Sequence, residues 1–196
     1  MIKFSFQSLL VVLTFSLGTN TNFAQDILVN SLKVNASDKS KESFKFTDVI
    51  NLANTSVKNQ GSSGTCWSYS GNSFLESEMI RIGKQPVELS QIFSARNAYV
   101  EKGKNYVRMH GAVTLGDGGS LHDVTNMLKK YGAVPQEVYT GLNYGTTKNK
   151  FGEMAALTEG LLVAAVKNPN GELTPNWIKA YEAVIDSYLG QVPQNF

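Results

Sequence analysis

The sequence predicts a mainly helical globular chain behind an N-terminal targeting segment. Three observations carry that expectation. Beyond residue 65 the apolar residues fall into stretches with helical spacing. The composition, 42% hydrophobic and 17% charged over 196 residues, is that of a folded domain and not of a disordered chain. The first 24 residues have the three-part layout of an export signal.

The leader comes first. Met1-Ile2-Lys3 makes a short basic start, Leu9 to Leu17 is almost wholly apolar, and Asn22-Phe23-Ala24 precedes Gln25. This order predicts a signal peptide over 1–24, cleaved after Ala24, and an exported protein that is periplasmic or secreted. The apolar run is too short to cross a bilayer comfortably, and no membrane span is expected once it is removed. The absence of a Cys near the cleavage point excludes lipid anchoring there. Removing the leader takes Lys3 with it, so 17 basic side chains face 16 acidic ones. Residues 25–54 read as an extended polar arm. Its two Asn-x-Ser sequons, at Asn35 and Asn54, are expected by chance in a stretch this rich in Asn and Ser.

Composition removes several function classes. A net charge of +2 makes no basic surface of the kind nucleic acid requires. A single Cys cannot build a disulfide framework or a Cys-rich zinc site. With 17 Gly and 5 Pro and no internal repeat, collagen-like and Pro-rich arrays are excluded. The length suits one domain, or one domain with an appendage.

The informative stretch is Val57-Lys58-Asn59-Gln60-Gly61-Ser62-Ser63-Gly64-Thr65-Cys66-Trp67-Ser68-Tyr69. A Gly/Ser loop runs into a helix for which Thr65 is the expected N-cap, with Phe74, Leu75, Met79 and Ile82 as its apolar stripe. Cys66 then stands in the first turn, where unpaired amides and the helix dipole favour a thiolate over a thiol. A thiolate is the nucleophile of cysteine catalysis. Gly61 and Gly64 let the backbone pass close to a substrate carbonyl. The amide N–H₂ of Gln60 can fold back to share an oxyanion hole with the Cys66 N–H.

Further along, Ser90 is an expected N-cap for a helix running through Ile92, Phe93 and Tyr99. Asp117-Gly118-Gly119 is a turn signal that also offers bare backbone for pairing with an extended peptide. Ser120 and Asp123 make a capping box for a helix whose expected face is Leu121, Val124, Leu128 and Tyr131, ended by Lys129, Lys130 and Gly132. Phe151 to Val166 reads as an Ala/Leu-rich helix. Thr174-Pro175 opens another, with Trp177, Ile178, Tyr181, Val184, Ile185 and Tyr188 at helical spacing as core.

The Gln60-Gly-x-x-Gly-x-Cys66-Trp67 segment resembles the active-site segment of papain-like cysteine peptidases. Ser63 stands where many relatives carry a disulfide Cys, which fits the branch of bleomycin hydrolase and bacterial aminopeptidase C. Glu88-Leu89-Ser90-Gln91, the order Asp-Gly-Gly, helix, Lys-Tyr-Gly, Pro, and the helical region after residue 146 are similar to that branch over about residues 55–196. The resemblance implies an α+β papain-like fold for the whole family. This chain would be mainly its helical lobe over 55–145 plus a helical insertion over 146–196, with the β-rich lobe missing. It implies a cysteine-type peptidase in which Cys66 attacks and Gln60 and the Cys66 N–H hold the oxyanion. Trp67, Gly118 and Gly119 would line the substrate face.

Cysteine catalysis also needs a base, ordinarily a His oriented by an Asn or Asp. In papain-like chains these lie about 130–150 residues beyond the Cys. His110, in a loop-like stretch, and His122, on the polar side of its helix, are poor substitutes. A site from His110, Asp117, His122 and Asp123 matches no metal-ligand spacing, so no metal and no cofactor are expected. The expected partners are a peptide or protein substrate and a C-terminal lobe bringing the His and Asn. By resemblance to the branch, further copies of the chain are expected as well. Two other classes stand beside the peptidase: a non-catalytic peptide-binding module, and an inert fragment of a truncated gene.

Overall fold

The computed structural model describes residues 47–194. The expected signal peptide over 1–24 and all but the last residues of the 25–54 arm lie outside them. Residues 47–61 carry no regular secondary structure. Five α-helices follow: α1 (Cys66–Arg81), α2 (Gln91–Arg108), α3 (Leu121–Tyr131), α4 (Gly152–Val166) and α5 (Asn176–Leu189). Among the described residues β pairing is limited to two isolated bridges, Ser62 with Lys150 and Leu89 with Pro135. No described helix is long and apolar enough to cross a membrane.

Helix α2 is the axis of the fold and packs against the other four. Ser90 starts it as the sequence predicts, accepting from the Phe93 N–H at 3.1 Å while its own hydroxyl donates to the Tyr139 carbonyl at 2.6 Å. One side of α2 gives Ile92, Phe93, Tyr99 and Val100 to a core shared with Phe151, Met154 and Leu162 and with Tyr181, Ile185 and Leu189. Gly103 lets α5 come close, since a Cβ there would sit 2.6 Å from the Tyr181 ring. The other side gives Ala95 and Ala98 to a smaller cluster with Trp67, Val124 and Met127. Small side chains on α2 thus bring α1 and α3 in against it, which places the start of α1 beside the loop before α3.

Two helical faces differ from expectation. In α1, Phe74 and Ile82 are more than half exposed, and the buried residues are Trp67, Ser68, Gly71, Asn72 and Glu76. Hydrogen bonding and close approach selected this face. Ser68 donates to the Gln91 carbonyl at 2.6 Å, and Gly71 faces Val124 so closely that a Cβ would lie 2.6 Å from it. Glu76 is buried but satisfied: it accepts from the Leu89 N–H at 2.7 Å and from the Thr55 hydroxyl, with Lys58 Nζ 4.0 Å away. In α3 the core residues are Val124 and Met127, while Leu121 and Leu128 are largely exposed.

The remaining elements match closely. The Asp123 carboxylate accepts from the Ser120 N–H at 2.8 Å, and Gly132 ends α3 with φ of 78°. Helix α4 begins one residue after Phe151, and α5 begins one residue after Pro175. Arg96 of α2 ties α5 down through Asp186, at 2.8 and 3.0 Å.

Candidate active site

Cys66 is the first residue of α1 and its side chain is exposed. The loop before it is braced at each step. Asn59 Oδ1 accepts from the Gly61 N–H at 2.8 Å. Gly61 has φ of 64° and passes so close to Asn149 that a Cβ would lie 2.5 Å from that carbonyl oxygen, so glycine is required on both counts. Ser62 donates its N–H to the Asn149 carbonyl at 2.7 Å and accepts from the Phe151 N–H at 3.1 Å. The loop is therefore stitched to the chain entering α4.

Gln60 and Ser63 bond reciprocally: Gln60 Nε2 donates to the Ser63 carbonyl, and Ser63 Oγ donates to the Gln60 carbonyl, both at 2.8 Å. An amide –NH₂ has two protons, so one of Gln60's remains for another acceptor. Thr65 does not cap α1 with its side chain. Its hydroxyl pairs with Ser63 Oγ at 2.6 Å, and only its carbonyl joins the helix, accepting from the Ser68 and Tyr69 amides. As the first residue of the helix Cys66 has no intrahelical acceptor for its N–H, and no described group accepts from it. The first turn of α1 thus presents the Cys66 amide and thiol together at the surface.

Asp117 connects this loop to the glycine pair. One carboxylate oxygen accepts from the Gly64 N–H at 2.9 Å and the other from the Tyr99 hydroxyl, while its carbonyl accepts from the Trp67 indole N–H at 2.8 Å. The packing leaves no slack. A Cβ on Gly64 would sit 2.6 Å from Asp117 Cβ, and one on Gly119 would sit 2.7 Å from the Trp67 ring. Gly118, by contrast, has nothing within 4 Å of its would-be Cβ. Lys102 of α2 lies on the same segment: its ammonium donates to the Gly116 carbonyl at 2.9 Å and to the Gly118 carbonyl, and stands 5.7 Å from the Trp67 ring centroid.

The electrostatics follow from this burial. Burial and the hydrogen bond to Asp117 hold the Tyr99 hydroxyl protonated far above its ordinary range. Burial lowers the Lys102 ammonium from the usual lysine value, opposed by Asp123 and Asp117.

Cys66, Trp67, Gly118 and Gly119 are therefore brought to one region, with Gln60 in the loop leading to it. Neither imidazole is bonded to the Cys66 thiol. The His122 side chain is 76% exposed and bonds Ser120 Oγ at 2.6 Å, with Asp123 3.6 Å from its other nitrogen. His110 is exposed in a left-handed turn, φ 51°, at the end of α2. Among the described residues neither bonds Cys66, and no group of three His, Cys, Asp or Glu could hold a metal ion. The sequence reading missed the Asp117 carboxylate, Tyr99 and Lys102 as builders of the site. A charged residue directly before Gly-Gly was the one available signal.

No family model matches the chain. It is 28% identical over 144 residues to "Cysteine proteinase 1, mitochondrial" of Saccharomyces cerevisiae, in strain YJM789 and equally in strain S288c. The match covers 65% of this chain and 29% of the relative, so the chain spans less than a third of the length of the curated relatives it matches. Among solved structures, PepW from Lactobacillus rhamnosis HN001 superposes with a TM-score of 0.51 at 20% identity, over 88% of this chain and 46% of PepW. That likeness is one of fold.

Proposed function

We infer that this chain, a partial relative of the papain-like cysteine peptidases on the bleomycin hydrolase and aminopeptidase C branch, is the nucleophile-bearing half of a peptide-bond hydrolase. The observation that carries the reading is the constellation around Cys66: an exposed thiol on the first turn of α1, its free N–H, and a glycine segment locked beside it. The named relatives, cysteine proteinases, support the same chemistry.

In this reading Cys66 Sγ attacks the scissile carbonyl carbon, and the C=O electrons move onto oxygen. The Cys66 N–H and the second Gln60 amide proton stabilise that oxyanion. The C–N bond breaks as the leaving amine takes a proton from an imidazolium, and water then hydrolyses the thioester. Neither described imidazole bonds Cys66, so this reading takes the base and its orienting Asn from a partner lobe. The branch suggests that the whole protein trims peptides from an end. The signal-like order of residues 1–24 would put that action outside the cytoplasm.

The test compares the 196-residue chain with a longer one that includes a His and an Asn from the same gene, using aminoacyl and peptidyl amide substrates. The longer chain should hydrolyse them and Cys66→Ala should abolish this. The short chain should be slower by several orders of magnitude, the usual cost of losing a catalytic His. Hydrolysis by the short chain at the rate of the long one would refute the two-part reading.

A further inference from the structure

We propose that Lys102 is a positioning residue for peptide substrate, holding the Gly116–Gly119 segment in the orientation that an extended peptide pairs with. The assignment rests on the peptidase reading above and adds to it a residue outside both the nucleophile loop and the glycine pair.

The argument is geometric. Lys102 reaches from α2 beneath the segment and spends its ammonium on two main-chain carbonyls, Gly116 and Gly118, on either side of Asp117. It also stands over the face of Trp67, whose ring fills the space under Gly119 and whose indole N–H holds the Asp117 carbonyl. The two carbonyls that flank Asp117 therefore point inward. Glycine has little intrinsic preference for one peptide-plane orientation, so an external clamp must supply it. Turning the Gly118 carbonyl inward leaves Gly119 as the residue whose main chain has no bond among the described residues. Asp117 cannot perform this role, since its oxygens face the Gly64 N–H, the Tyr99 hydroxyl and the indole, and none holds the Gly118 peptide. A hydrogen-bonded ammonium in a partly buried position is also a stronger clamp than a neutral donor.

Two reagents on the full-length protein separate this from general packing. Iodoacetamide reads the Cys66 thiol alone. A peptidyl chloromethyl ketone of two or more residues reads the thiol and the docking of peptide along the glycine segment. In Lys102→Met the saturation constant for the peptidyl reagent should rise about tenfold, the effect of losing a charge-assisted hydrogen bond. Its limiting rate and the iodoacetamide rate should not change. Lys102→Arg, which keeps a cationic donor, should recover most of the loss. An unchanged saturation constant in Lys102→Met would overturn the proposal. So would an equal slowing of both reagents, which is the signature of a merely structural lysine. A wild-type Cys66 that ignores both reagents while folded would overturn the nucleophile reading, and this assignment with it.

Discussion

At Gly118 and Gly119 two adjacent, chemically identical residues have opposite tolerance. A methyl at 119 would enter the Trp67 ring, 2.7 Å away, whereas one at 118 meets nothing within 4 Å. Gly119→Ala should destabilise the fold by roughly 1–3 kcal/mol, the cost of overpacking, and Gly118→Ala should be near neutral. Urea unfolding of the two variants checks this. Equal midpoints would mean that the indole does not pack against the segment. Cys66 gives a second expectation at this scale. Because its side chain is exposed, iodoacetamide should label the native protein at Cys66 without denaturant, read by intact mass. Gln60→Ala should lower kcat by roughly 10²–10³ if its spare amide proton is an oxyanion donor, with little change in stability.

Between elements, Glu101 is the charged link from α2 to α3. It accepts from Lys130 at 2.6 Å and from the Tyr131 hydroxyl, and from Lys104 of its own helix at 3.1 Å. Burial pushes its carboxyl up, but these three bonds outweigh burial and hold it down at about 2. A depressed acid stabilises the fold above its unfolded value and loses that contribution as pH falls through its folded value. Stability should therefore drop between about pH 4.5 and about pH 2, and Glu101→Gln should flatten this part of the curve. Thermal unfolding of both proteins across that range measures the difference. Parallel curves would show that Glu101 does not link the helices. The element scale is also where sequence and structure diverge most. Helices α4 and α5 were legible to within a residue or two, α4 because its Ala/Leu-rich composition favours a helix and α5 because Pro175 and a clear apolar period leave few alternatives. The faces of α1 and α3 were not. Period alone weighs apolar residues, but α1 buries Ser68, Gly71, Asn72 and Glu76 through hydrogen bonds and close approach to α2 and α3.

At the scale of the whole molecule, the signal-like order of residues 1–24 predicts a mature protein that begins near Gln25. N-terminal sequencing of protein recovered from outside the cytoplasm tests this, and an intact Met1 on that material would refute it. The linear order of residues was enough to single out Cys66, its loop, the glycine pair and the five helices. Each is a local pattern: a cap, a period or a Gly-rich turn acts over a few neighbouring residues. It was not enough to show what joins them. Asp117 meets Gly64 across 53 positions and Trp67 across 50, and Lys102 reaches Gly118 across 16. Those contacts exist only because the small residues of α2 and Gly71 of α1 let three helices close around one tryptophan. Packing also decided which side chains stayed free. It turned the Thr65 hydroxyl toward Ser63, and it left both imidazoles exposed, His122 bonded to Ser120 and neither bonded to Cys66. Proximity of groups distant in sequence is a property of how surfaces fit, and no local periodicity encodes it.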